Sequence, residues 1–201
     1  MCKRIMMIGT LAFGCAVGAW AQQPGAMTPK TESVATVEPS KSFDAALSAL
    51  EAQFMGLAKA MPADKYSFAP SAAIFAPSQK TDYLSPDNKG VRNFGQMVAH
   101  VAQANYFYGG MLSGLKPDVN VKAIGSLTDK DQIIAALEKS FAFTHQAIGT
   151  LTAENAFQGV RGDQTRASLA AGVIAHGFDH YGQLAEYLRM NGIIPPASAK
   201  K

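Results

Sequence analysis

Apolar residues in this chain recur every three or four positions, the period of a helix with one face turned to a core. Phe43, Leu47, Leu50, Phe54, Leu57 and Met61 form one such stripe, and Pro62 closes it. A second runs through Phe94, Met97, Val98, Val101, Ala104, Phe107, Tyr108 and Met111, within a helix expected from about Val91 to Leu112. Ile134, Leu137, Phe141, Ile148 and Leu151 mark a third, with Thr128 as its expected N-cap and Asp131 at the capping-box position. A fourth helix is expected from a cap near Asp163 to Asn191, with Gly192 past its end and Pro195-Pro196 barring extension. No stretch alternates as a strand would, so the fold class is all-α, a four-helix bundle.

The fourth stripe carries chemistry as well as packing. Leu169, Val173, His176, His180, Leu184 and Tyr187 step by four and three, which sets two imidazoles one turn apart on the core-facing side. An unpartnered imidazole is costly there. His100 lies on the second stripe beside Met97, Val101 and Ala104. Packed helices stand ~8–10 Å apart, so His100, His176 and His180 can meet on one ion while leaving a coordination position for water or substrate. Core histidines with ordinary hydrogen-bond partners are the competing explanation, and for His145, beside the third stripe, it is the preferred one. Asp179 and Gln183 stand within a turn of the pair and are candidates to orient its imidazoles from behind.

The first 21 residues are expected to form a secretory signal: Lys3 and Arg4, an apolar run from Ile5 to Val17, and the Ala19-Trp20-Ala21 cleavage pattern. An uncleaved anchor is the alternative. Both cysteines, Cys2 and Cys15, lie in this segment, so the processed chain would have no thiol and histidine would be its main soft ligand. Lys3 and Arg4 also account for much of the formal charge of +3. No basic stripe with interleaved aromatics remains, which excludes nucleic acid as the expected partner. Residues 22–40, rich in Pro, Thr, Ser and Gly, read as a disordered linker, 41–196 as the bundle and 197–201 as a frayed tail. Export to the periplasm or medium, without a stable membrane span, is the expected outcome. Pro62 to Gly90 is an irregular connection, pinned to the core by Tyr66, Phe68 and Phe75, with a short helical turn at Ser71 to Phe75.

Three segments resemble the DinB-like superfamily: Ala60-Met61-Pro62-Ala63-Asp64-Lys65-Tyr66-Ser67-Phe68, Phe94-Gly95-Gln96-Met97-Val98-Ala99-His100-Val101, and His176-Gly177-Phe178-Asp179-His180-Tyr181-Gly182-Gln183-Leu184. The resemblance spans about Phe43 to Pro196. It implies helices running up-down-down-up with a long crossover. It also implies a three-histidine site on His100, His176 and His180, filled by a divalent metal, zinc or nickel. Some members are metal-dependent thiol transferases, others resemble hydrolases or isomerases, and many have no assigned activity. The implied function is an exported metal-dependent hydrolase or transferase acting on a small molecule. The alternative is a non-catalytic metal-binding or stress-associated envelope protein. A homodimer is left open.

Overall fold

The computed structural model describes residues 35–70 and 91–199. The signal segment, most of the linker and the turn at Ser71 to Phe75 lie outside the described residues. Among the described residues five α-helices are formed: α1 (Pro39–Ala60), α2 (Phe94–Ser113), the single-turn α3 (Val121–Ile124), α4 (Lys130–Ile148) and α5 (Arg166–Met190). The four long ones make the bundle. Among the described residues none is long and apolar enough to cross a membrane.

Cross-helix contacts fix the direction of each rod. On α1 and α4, Asp44 meets His145 and Lys59 meets Glu138, so these two run antiparallel. On α2 and α4, Gly95 lies against Ile133 near the start of both and Gly109 against Phe143 and Ala147 toward their ends, with Asn105 bonded to Ser140 between, so these two run parallel. Tyr187 near the end of α5 donates to the carbonyl of Arg92, just before α2, so α5 returns antiparallel to α2. The order is up-down-down-up. Residues 114–129, with α3, form the crossover that parallel neighbours require.

The stripe of α1 is buried as its period predicts: Leu47, Leu50, Phe54, Leu57 and Met61 are fully covered. Each such side chain contributes about 1.5–3 kcal/mol relative to exposure. Tyr66 and Phe68 do pin the segment after α1. The Tyr66 hydroxyl bonds the carbonyl of Ala58, and backbone amides of Phe94 and Gly95 bond the carbonyls of Phe68 and Tyr66. The first turn of α2 is thereby strapped to the end of α1.

Several boundaries differ from expectation, each for a local reason. Helix α1 opens at Pro39, inside the stretch read as linker, because proline is well suited to the first helical turn. Asp129, not Thr128, caps α4, accepting from the amide of Gln132. The Nζ of Lys130 then reaches the carbonyls of Met61 and Lys59, joining this end of α4 to α1. Ile133 rather than Ile134 is the buried residue of the first turn. Helix α5 starts at Arg166, with a reciprocal box between Thr165 and Ser168, because Asp163 is used in a turn. That turn joins β1 (Gly159–Arg161) and β2 (Gln164–Thr165), an antiparallel ribbon absent from the all-helical expectation. Gly162 has φ +54°, which the tight reversal demands. At the far end Gly192 has φ +72°, and the amides of Gly192 and Ile193 bond the carbonyls of Arg189 and Leu188. Those two bonds close the helix as a Schellman motif. Pro196–Ser198 form a 3-10 turn lying against α1, so the tail is ordered further than expected.

Candidate metal centre

Helices α2 and α5 pack side by side and bring His100, His176 and His180 together. The Nε2 atoms of His176 and His100 are 3.3 Å apart, and those of His180 and His176 are 3.1 Å apart. Among the described residues this is the one group of three histidine, cysteine or acidic side chains whose ligand atoms lie within 4.8 Å of one another. His180 is buried and the other two are half-buried.

Hydrogen bonding behind the cluster fixes a proton on one nitrogen of His180. The Asp179 carboxylate can only accept, so Gln183 turns its Nε2 toward it, at 3.1 Å. The Gln183 oxygen then faces Nδ1 of His180 at 2.9 Å, and Nδ1 must carry the proton. The neutral form of His180 compatible with this bond has its lone pair on Nε2, facing the centre. Asp179 and Gln183 thus form a relay, with Gln183 in direct contact and Asp179 acting through it.

Electrostatics keep the other two rings neutral. Burial, reinforced by the Arg92 charge and the neighbouring imidazoles, pushes His100 down to about 4. Burial and His180 chiefly, with a smaller push from Arg92 against the pull of Asp179, take His176 to about 4. Three imidazoles with convergent nitrogens are poorly satisfied by one another. His176 can offer a single N–H on Nε2 to one of its two neighbours, and its Nδ1 is buried with no partner. A cation shared by the three Nε2 atoms would satisfy all of them, so the donor set fits a metal of the borderline class that imidazoles hold.

A cavity of about 640 Å³ opens on the cluster. Pro70, Val91, Met97 and Tyr187 give it apolar walls, and Arg92, Asp179, Gln183 and Glu186 give it polar ones. Sequence periodicity did not single out Arg92, because it precedes the cap Asn93 and belongs to no helical stripe. Its position at the α2 end nearest the ligand turn is the signal that was available. Phe107, placed on the core stripe by its period, is instead 58% exposed, because Asn105 and Tyr106 are the residues of that turn that go inward.

His145 is not part of the cluster. It stands on α4 between two acids of α1, with Nδ1 2.5 Å from Asp44 and Nε2 3.0 Å from Glu51. Hydrogen bonds to both carboxylates outweigh its burial and raise its pKa.

A search among curated proteins found no match. The model of the DinB superfamily matches residues 46–184, which takes in α2, α4, most of α1 and α5 to Leu184, with all three clustered histidines. Bundle order, histidine cluster and family match agree, and the chain belongs to the DinB superfamily.

Proposed function

We propose that the chain binds one divalent metal, zinc or nickel, through Nε2 of His100, His176 and His180, and acts through it on a small molecule in the adjoining cavity. The observation that carries this reading is the mutual approach of three imidazole Nε2 atoms, with the Gln183–Asp179 relay holding the proton of His180 on its far nitrogen. An ion held there supplies Lewis acidity and lowers the pKa of a coordinated water or thiol. The chain's own residues supply the rest. Gln183 holds the tautomer of His180, and Met97 and Tyr187 limit water in the cavity. The reaction class is hydrolysis or thiol transfer. The signal pattern before Gln22 supports an exported compartment, where hydrolysis needs no intracellular thiol.

One observation favours a second reading, a binding protein without turnover. The two carboxylates lining the cavity are engaged elsewhere, Asp179 with Gln183 and Glu186 with Arg189 at 2.6 Å, so neither stands as a committed general base. Metal analysis of untagged protein tests the shared part: wild type should carry about one equivalent and His176→Ala far less. Metal well below that level in both contradicts it. Ester, amide and thiol–electrophile panels on the loaded protein then separate the enzyme from the binder.

A further inference from the structure

The donor set has no charge of its own. No carboxylate or thiolate stands among the described ligand atoms that converge on the centre. A divalent ion held by three neutral imidazoles keeps its full charge in a partly desolvated place, and such a charge favours an anion over a neutral group as its further partner. The two acids lining the cavity have other partners, as described above. Arg92 is the only lysine or arginine among the described residues that line it. Its guanidinium is a planar fork suited to paired oxygens. It shares that lining with His100, His176 and His180. A second, smaller cavity of about 320 Å³ reaches the cluster past Gln103, Phe107 and Tyr108, but no acidic, lysine or arginine side chain lines it.

We propose that the larger cavity takes a small organic anion, its oxyanionic head held between Arg92 and the metal face and its apolar body against Met97 and Tyr187. This rests on the metal reading above. Pocket size fits, since cavities of ~300–1,000 Å³ are the usual range for small ligands. Head recognition by a charged fork plus an ion sets the class of substrate, whatever bond is then broken or formed.

Calorimetric titration of the metal-loaded full chain with phenylacetate and with its neutral counterpart phenylacetamide tests this, with metal measured in the same samples. Wild type should bind the acid at least about tenfold more tightly. Arg92→Gln should lose about tenfold for the acid, keep its affinity for the amide and keep its metal. Arg92→Lys, which retains charge but not the fork, should fall between the two, and serves should Arg92→Gln fail to fold. Equal binding of acid and amide by wild type, no binding of either, or undiminished acid binding in both Arg92 variants would overturn the proposal. Wild type that takes up no metal defeats the metal reading instead. The titration of metal-free protein then decides the anion: a preference lost in Arg92→Gln supports it, and equal binding overturns it.

Discussion

Gly177 faces Leu50 across the seam between α1 and α5, so closely that a Cβ on it would lie 2.3 Å from Leu50 Cδ2. Gly177 stands between His176 and His180, so the close approach of α1 sets how α5 presents both imidazoles. Gly177→Ala should destabilise the bundle by about 1–3 kcal/mol through overpacking and weaken metal retention. Pairing it with Leu50→Ala should recover part of the metal. Thermal unfolding together with metal analysis reads both effects, and metal retention unchanged in Gly177→Ala would show that the seam does not position the site.

Gln183 should matter to metal affinity more than to folding, since it is exposed yet holds the tautomer of His180. Gln183→Ala should lower affinity about 10–100-fold, the usual effect of losing a partner behind a ligand, with little change in melting temperature. Competition with a chelator measures it. Asp179→Asn, one step further back, should cost less than Gln183→Ala.

His145 gives the bundle a pH-dependent fastener. Its two ring nitrogens face Asp44 and Glu51, which both accept only when the ring is doubly protonated. The folded pKa is raised above the ordinary value, so the stabilisation is complete below pH ~6.5 and fades as pH climbs through the folded value. Asp44 is 48% exposed, so the contribution is that of a solvated pair, about 0–1 kcal/mol. Wild type should melt up to about 4 °C above His145→Gln under mildly acidic conditions, and the gap should close in alkaline buffer. A gap that is constant with pH would contradict the assignment.

Ser140 supports a buried polar contact in the bundle interior. Its hydroxyl lies 3.0 Å from Nδ2 of Asn105, and both residues are fully covered. Ser140→Ala should cost about 1–3 kcal/mol, because the Asn105 amide is then left without this partner in a dry place. Chemical denaturation measures it. A cost below the effect of an ordinary surface change would mean that water replaces the hydroxyl.

Much of this molecule is written in its period. Leu47, Leu50, Phe54 and Leu57 declare the buried face of α1, and His100, His176 and His180 lie on stripes whose mutual packing makes the cluster. The period fails where a helix has two neighbours. On α2, Asn105 turns inward toward parallel α4 while Phe107 turns out, a choice that depends on a partner distant in sequence. Ile133 and Ile134 are equally apolar, and only the angle of α4 selects the first. The ribbon before α5 has strands of three and two residues, too short to alternate, although Gly162-Asp163 is a recognised two-residue turn signal. Arg92 sits outside every helix, and its role emerges only once α2 and α5 are side by side.

The most direct measurement of the central claim is X-ray absorption at the edge of whichever metal the untagged full chain retains. Three imidazole nitrogens at about 2.0–2.1 Å if the ion is zinc, together with loss of that signature in His100→Ala, is the predicted result. A coordination shell dominated by sulfur, which Cys2 and Cys15 would supply, or one unchanged when His100 is removed, would contradict it.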